Sequence, residues 1–239
     1  MLDLLKETTI IVPSQERSSK GKLHYASIQI VFRSNDFPVV TLLCQVLGYG
    51  SISKKKQSAA YVYTINNLDG LIDIANLING KMRGPEYNQY IKLIEYINKK
   101  SPNLDLVALP ADQSSLGSNS WLTGFIEADG SFQVRASLQS KIKKRLGLSF
   151  ELSQSRITHY GHSTLHLMET IGAFLGVNVN SIREILNNPQ YRVRTNTIQS
   201  NQKIRDYLME YPLQGTKYLD FKDWCVVLEF FEKEIHLGK

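Results

Sequence analysis

The chain has 239 residues, of which 42% are hydrophobic and 21% are charged, so it can bury a core and is not a disordered polymer. Lys and Arg number 28 against 22 Asp and Glu, and the formal net charge of +6 favours an anionic partner. Because no apolar run is long enough to span a bilayer, that partner is expected to be nucleic acid and not a membrane. The chain has two cysteines, which are too few to form a disulfide scaffold.

The first half, residues 1–98, begins with two short segments in which apolar and polar residues alternate. This pattern is typical of half-buried strands. No basic region precedes the first apolar residues, so a secretory signal is not expected and the product is predicted to be soluble. The apolar positions are Ile10 and Val12 in the first segment and Ala26, Ile28 and Ile30 in the second.

A linker is predicted from Lys99 to Asn119, where two prolines and a run of small polar residues interrupt the pattern. The second half, residues 120–239, starts with a short helix over Trp121–Ala128 that Gly130 closes. Two alternating strands follow, and a helix is predicted over Ser163–Leu175. The remaining predicted strands cover Val177–Leu186 and Tyr191–Ile198.

The two halves repeat one order of elements. Ile10 and Ile28 lie 122 positions before Phe132 and Phe150, so a single shift relates two strands and the hairpin between them. Gly48 lies 128 positions before its counterpart, which indicates small insertions in the second half. The fold class is therefore predicted as α+β, with two pseudo-symmetric α-β-β-α-β-β-α halves. Each antiparallel sheet would have one helix-covered apolar face and one open polar face.

The polar positions of these strands are rich in Arg, Gln and Asn, which can make bidentate contacts with base edges in the major groove. An ordinary solvated sheet face is the alternative. Basic runs in two matching turns favour contacts with phosphates, with an ordinary solvated turn as the alternative. The candidate nucleic-acid-binding residues are Gln29, Arg33, Lys54, Lys55, Lys56, Gln133, Arg135, Gln139, Lys141, Lys143, Lys144, Arg192, Arg194 and Asn196.

The segment from Trp121 to Phe132 carries the most specific motif in the chain. Its core, Leu-Thr-Gly-Phe-Ile-Glu-Ala-Asp-Gly, resembles the LAGLIDADG motif of homing endonucleases and group I intron maturases. The resemblance extends to the order of elements in both halves. It implies a saddle-shaped, duplicated fold that binds nucleic acid across a concave β surface as a monomer. It also implies hydrolysis of phosphodiester bonds in double-stranded DNA with Mg²⁺.

The residues of this motif suit a metal site beside a helix–helix contact. Gly124 and Ala128 lie four positions apart on one helix face and would let a partner helix approach closely. Asp129 falls in the last turn, at the negative end of the helix dipole, where bound Mg²⁺ or another divalent cation would relieve repulsion. Glu127 adds a second acid nearby. Asp129 is therefore the predicted catalytic and metal-binding residue.

By the shift of 122, the corresponding acid of the first half is Glu7, for which the resemblance implies the same catalytic and metal-binding role. Only six residues precede Glu7, and Leu2 and Lys6 stand where Gly124 and Ala128 stand in the second half. The close-packing positions are lost. The first motif is therefore expected to be truncated or degenerate.

A degraded first motif leaves two functions open. The chain is a homing endonuclease, or it has lost cleavage and acts as a group I intron maturase or an RNA-binding structural subunit of a ribonucleoprotein. In the second case its partner is structured intron or ribosomal RNA instead of double-stranded DNA. The resemblance implies mitochondrial expression from an organellar gene, with the plastid as the alternative, and no membrane partner.

Overall fold

Each half of the chain forms a four-stranded antiparallel sheet with helices packed on one face. The computed structural model describes residues 8–15, 17, 19–138, 144–186 and 188–233. The chain separates into two compact units, residues 1–114 and residues 115–239. This arrangement confirms the predicted α+β class and the duplicated fold. Among the described residues, no helix is long and apolar enough to cross a bilayer.

The first unit contains β1 (Thr8–Ile11), β2 (Ser27–Arg33), α1 (Phe37–Leu47), β3 (Ser51–Lys54), β4 (Ala60–Ile65), α2 (Leu68–Ile78) and α3 (Tyr87–Lys100). The strands pair in the order β1-β2-β4-β3. Because side chains alternate between the faces of a strand, Ile28 and Ile30 of β2 share one face. They join Leu71, Tyr90 and Leu93 of the helices in the core of this unit, and removing these side chains from water stabilises the unit.

The second unit contains α4 (Trp121–Asp129), β5 (Gly130–Leu138), β6 (Lys144–Ser155), α5 (Leu165–Leu175), β7 (Val179–Ile182), β8 (Gln190–Arg194), α6 (Ile198–Glu210) and α7 (Lys217–Glu232). Its strand order, β5-β6-β8-β7, matches that of the first unit. Phe150 and Leu152 of β6 lie in its core with Phe125, Met168 and Trp224. The order of elements from the first strand to the last helix is therefore the same in both units.

The strand registers preserve the sequence repeat. Ile10 pairs with Ile28 in the first sheet and Phe132 pairs with Phe150 in the second, so the shift of 122 holds on both strands. Helix α1 ends at Gly48 with φ of 73°, and α5 ends at its counterpart with φ of 71°. Glycine adopts this left-handed conformation without strain, which explains why both helices end at the same residue type.

Two strands are shorter than the alternation predicts. Strand β8 ends four residues before the predicted end, because Thr197 and Ser200 form a capping box that starts α6. Strand β7 ends before Arg183, whose φ of 56° lies in the left-handed region and is incompatible with a strand. In both places local backbone chemistry overrides the apolar pattern.

The hairpin of β5 and β6 extends beyond the rest of its sheet. Strand β6 pairs with β8 only over Glu151–Ser155, whereas its pairing with β5 runs back to Lys144. Val134 and Ala136 are exposed in this outer part. The helix-covered apolar face predicted for the sheet does not extend to these positions, because no other strand in the described ranges pairs with this part of the ribbon.

Helix α3 runs two residues into the predicted linker, Lys99–Asn119, and much of the remainder is bound to the first unit. We call residues 106–114 the strap. Asn98 forms two hydrogen bonds with the backbone of Leu106, of 2.8 and 2.9 Å. The buried guanidinium of Arg83 donates to Asp112 Oδ2 at 2.6 Å and to the carbonyl oxygen of residue 114 at 2.7 Å. The strap is thus attached by specific polar contacts.

Candidate functional site

The motif helix α4 ends at Asp129 and passes directly into β5 at Gly130. A Cβ on Gly130 would lie 2.7 Å from Ile126 Cγ2, 2.8 Å from the Ile126 carbonyl oxygen and 2.9 Å from the Phe150 ring. Only glycine allows such a close approach of helix, strand and core ring. The approach fixes Asp129 at the boundary between helix and sheet, where the residue is exposed.

The Asp129 carboxylate contacts an amide of the sheet. Gln154 of β6 donates from Nε2 to Asp129 Oδ2 at 2.7 Å, and the same nitrogen donates to the carbonyl oxygen of Ser153 at 2.9 Å. These contacts orient both side chains. Sequence reasoning missed Gln154, because it continues the row of apolar residues in β6 and belongs to no motif.

A lysine ammonium lies at the C-terminal end of α4. Lys217 of α7 donates from Nζ to the carbonyl oxygens of Ile126 at 2.9 Å and Ala128 at 3.4 Å, and only 5% of this residue is exposed. This cation stabilises the negative end of the helix and offsets the repulsion expected for Asp129. No local pattern marks Lys217, which lies 91 positions from Ile126.

The second acid of the motif, Glu127, holds a loop of the unit. Its Oε2 accepts a hydrogen bond of 3.0 Å from the Gln214 backbone N–H, and its Oε1 accepts one of 3.2 Å from the Gly215 backbone N–H. Both donors lie just before α7. The acid that the sequence suggests as a companion to Asp129 therefore has a structural role.

The donor set around Asp129 fits a partial magnesium site. Within the described ranges, no group of three or more His, Cys, Asp or Glu could hold a metal ion. Mg²⁺ commonly binds only one or two carboxylates and completes its octahedral shell with substrate phosphate and water. The exposed Asp129 carboxylate has oxygen ligands of the required kind, while Gln154 contacts it through its amide nitrogen.

The first-half counterpart of this site differs at a position that the structure describes. Glu7 lies outside the described residues, as does the helix expected to pack against Gly124, which is buried, and Ala128, which is half-buried. By the shift of 122, the counterpart of Gln154 is Phe32, a buried residue of β2. Its ring offers no amide, so this described position of the first unit has no counterpart of the Gln154 hydrogen bond.

Three predicted arginines converge on the open face of the second sheet. Arg135 Nη2 lies 2.8 Å and Arg194 Nε lies 3.1 Å from Glu151 Oε1, while Arg192 Nη1 lies 3.6 Å from its Oε2. We call these four residues the Glu151 cluster. Gln133 lies on the same face of β5. The sequence does not mark Glu151 as a site residue, because an acid among the polar positions of a strand is not one of the groups expected to contact phosphates.

The open face of the first sheet is less charged. Gln29 and Arg33 lie on it, and Gln29 Nε2 donates to the Ser27 hydroxyl at 3.5 Å. Arg33 is the only charged side chain on this face among the strand residues that the structure describes. The two sheets therefore present different chemistry to a ligand.

The other predicted binding residues lie near the sheet edges. Lys54 ends β3 and shares its face with Ile52, on the helix-covered side, while Lys55 and Lys56 are exposed in the following turn. Asn196 is exposed just after β8. Lys144 is the first residue of β6, and the residues of the second basic turn that lie outside the described ranges are Gln139, Lys141 and Lys143.

Sequence comparison finds one family in both units. The profile of the LAGLIDADG endonuclease family matches residues 7–97 and 122–228. Intron-encoded DNA endonuclease aI3 of Saccharomyces cerevisiae is 28% identical over 256 residues, which cover 95% of this chain and 61% of the relative. Intron-encoded RNA maturase bI4 of the same yeast is 28% identical over 132 residues, or 54% of this chain and 19% of the relative. The chain thus spans less than two thirds of the length of these relatives.

Solved structures share the fold. A point mutant of I-SmaMI matches with a TM-score of 0.75 over 99% of this chain and 92% of that one, at 20% identity. Other I-SmaMI structures are bound to cleaved DNA, or to an uncleaved DNA target in the presence of calcium ions. At this identity the likeness shows the fold alone.

Proposed function

The chain belongs to the LAGLIDADG endonuclease family, and we propose that it is a homing endonuclease that cuts double-stranded DNA at a specific site with a divalent metal ion. The observation that carries this proposal is the exposed Asp129 carboxylate, which is fixed at the end of the motif helix beside Gln154. The relative aI3 is named as a DNA endonuclease, which supports the same chemistry.

Asp129 would hold Mg²⁺, with phosphate oxygens and water in the remaining positions. When bound, the ion would activate water for attack on phosphorus and neutralise charge on the leaving oxygen. The chain's own residues position the carboxylate: Gly130 permits the tight helix end, Lys217 stabilises it and Gln154 orients Asp129. Glu7 is the proposed acid of the first half.

The open sheet faces would bind the duplex. Arg and Gln side chains on the strands have the donor geometry to read base edges. The basic turns would contact phosphates, which position the duplex and make affinity fall steeply with salt. The net charge of +6 supports this electrostatic contribution.

The test is metal-dependent cutting of a duplex library built around candidate intron insertion sites, by the unsubstituted protein and by Asp129→Asn. Asparagine keeps the shape but not the charge that binds Mg²⁺, so we expect cutting to be abolished and binding to be nearly unchanged. Denaturing and native gels would separate nicks in one strand from breaks in both.

Asp223→Asn is the matched control, because it removes the same charge from an exposed position of α7. It should cut like the unsubstituted protein. Cutting by Asp129→Asn at the unsubstituted rate would remove Asp129 from the proposed site. Absence of cutting by the unsubstituted protein on every duplex would overturn the endonuclease proposal.

A maturase function is the second candidate, and Phe32 is the observation that favours it. The first unit has this buried ring where the second has Gln154. Such a difference is expected if one half-site no longer needs a polar side chain for catalysis. The similarity to RNA maturase bI4 agrees with it. Binding of a group I intron RNA that speeds its splicing, unaffected by Asp129→Asn, would support this function over DNA cleavage.

Expression in a mitochondrion is part of the proposal, because the fungal relatives are intron-encoded proteins. The internal duplication further predicts that one chain supplies both half-sites and acts as a monomer. Sedimentation of the protein with and without duplex DNA tests the last point, and a complex with two chains per duplex would contradict it.

A further inference from the structure

The Glu151 cluster places one acid beneath three arginines. The Glu151 side chain is 13% exposed, whereas those of Arg135, Arg192 and Arg194 are 51%, 29% and 34% exposed. The carboxylate therefore lies deeper than the guanidinium groups it contacts. Three cations on one anion leave the cluster with an excess positive charge that faces solvent.

This cluster is not a requirement of the sheet architecture. By the shift of 122, the counterpart of Glu151 is Gln29, and the registers agree: Gln29 pairs with Thr64 in the first sheet as Glu151 pairs with Arg194 in the second. The first sheet forms without an acid at this position and without arginines opposite it. The cluster is thus a feature of the second unit alone.

Contact with Glu151 engages only part of each guanidinium. Arg194 makes its contact through Nε and Arg135 through Nη2, while a guanidinium has five N–H donors in a planar fork. Nε of Arg192 and of Arg194 is buried, so the terminal nitrogens that do not contact Glu151 are the donors a ligand can reach. The contacts with Glu151 restrict the orientation of each fork. A fixed fork matches the paired acceptors of guanine in the major groove, and less ordering is required when it binds.

We propose that Glu151 is a positioning residue that aims Arg135, Arg192 and Arg194 at base edges and thereby sets the sequence discrimination of the second unit. This inference rests on the proposed binding of duplex DNA to the open face. The negative charge of Glu151 also disfavours a phosphate at the centre of the cluster. Without this acid, the three arginines would bind the DNA backbone of any sequence.

The test compares the unsubstituted protein with Glu151→Gln on two probes: a duplex enriched by the unsubstituted protein from a randomised pool, and the unselected pool. We expect Glu151→Gln to bind the unselected pool more tightly. Its discrimination, the ratio of its affinity for the enriched duplex to its affinity for the pool, should fall on the order of tenfold. The slope of its log affinity against log salt should become steeper by roughly one, as expected for one additional phosphate contact. Glu151→Asp, which keeps the charge, should restore part of the discrimination.

Glu184→Gln is the matched control, because it removes the same charge and also breaks an arginine contact, with Arg156 at 2.6 Å. Arg156 lies over the ring of Tyr191, which packs against the core on the helix-covered side of the sheet. Its discrimination should stay unchanged. If folded Glu151→Gln keeps the same ratio of affinities for the two probes, the positioning role of Glu151 is overturned and the proposed function is not. Failure of the unsubstituted protein to enrich any duplex would overturn both this role and the proposed function.

Discussion

At the scale of single residues, Asp129 differs from an isolated carboxylate at a helix end because neighbouring side chains contact both the helix end and the carboxylate. Lys217 already supplies a positive charge to the last carbonyl groups, and Gln154 already orients the carboxylate. These side-chain contacts fix the end of the motif helix and orient Asp129. The residues around Asp129 are therefore expected to contribute to stability, independently of the metal-binding role proposed for Asp129.

Gly130→Ala tests the tight junction between helix and strand. Its Cβ would lie under 3.0 Å from Ile126 and Phe150, so we expect the second unit to lose about 1–3 kcal/mol of unfolding free energy. Both tryptophans, Trp121 and Trp224, lie in this unit, so urea unfolding followed by tryptophan fluorescence measures its stability.

Gly147→Ala is the control, because its Cβ would meet only a backbone oxygen at 3.7 Å. We expect a change within about 0.5 kcal/mol for this exposed position. Equal effects of the two substitutions would show that the junction does not restrict residue 130.

Lys217→Met tests the buried ammonium group. Methionine preserves much of the side-chain length but leaves the carbonyl oxygens of Ile126 and Ala128 without this donor, at a cost of about 1–3 kcal/mol. The same fluorescence measurement applies, and Lys217→Arg, which retains the charge, should lose less. An unchanged unfolding midpoint for Lys217→Met would contradict the proposed stabilisation of the helix end.

At the scale of elements, the strap shows how a segment without regular structure becomes fixed. Burial opposes ionisation of Asp112, but hydrogen bonds from Ser114 and the nearby Arg83 guanidinium outweigh it and lower the pKa of this carboxyl. A lowered pKa in the folded state means that ionised Asp112 stabilises the unit above about pH 4. This contribution is lost as the pH falls through the folded-state pKa.

Asp112→Asn should therefore destabilise the first unit at neutral pH by about 1–3 kcal/mol, because the buried Arg83 loses its counter-charge. The difference from the unsubstituted protein should shrink below pH 4. Circular dichroism during urea unfolding would follow both units, while tryptophan fluorescence would follow the second unit as an internal control. A shift of the fluorescence transition instead would contradict the assignment of the strap to the first unit.

At the scale of the whole molecule, the two units share one topology but not one surface. The second has the Glu151 cluster and Gln154, whereas the first has Gln29 and Phe32 at the corresponding positions. Repeated apolar positions preserve the core of each half, since burial requires them. Polar positions on an open face, such as those of Glu151 and Gln29, are free of that requirement and differ between the units. Gln154 and Phe32 instead lie at the ends of the core-facing rows of β6 and β2.

Replacing Lys54, Lys55 and Lys56 together with Gln tests the contribution of a basic turn. If these residues contact phosphates, the slope of log affinity against log salt should become shallower by about 2–3, with little change in sequence preference. The control replaces three exposed helix lysines, Lys92, Lys203 and Lys222, which changes the charge equally. The same loss of slope in both variants would indicate a general charge effect.

The sequence alone determined the repeated topology and the position of Asp129. Alternation of apolar residues, the shift of 122 and the motif all depend on neighbours in the chain, and the strand registers agree with them. Alternation did not predict two of the strand ends, because the capping of α6 and the left-handed backbone of Arg183 override it.

Only the tertiary structure decided which groups surround the motif helix and the open face. Lys217 contacts a carbonyl 91 positions away, Gln154 reaches Asp129 across 25 positions and Arg194 approaches Glu151 across a strand pair. Contacts of this kind arise when separate elements pack, and a single side chain leaves no periodic trace in the sequence. The chemistry of the site therefore depends on the fold, although its central acid is readable from the motif.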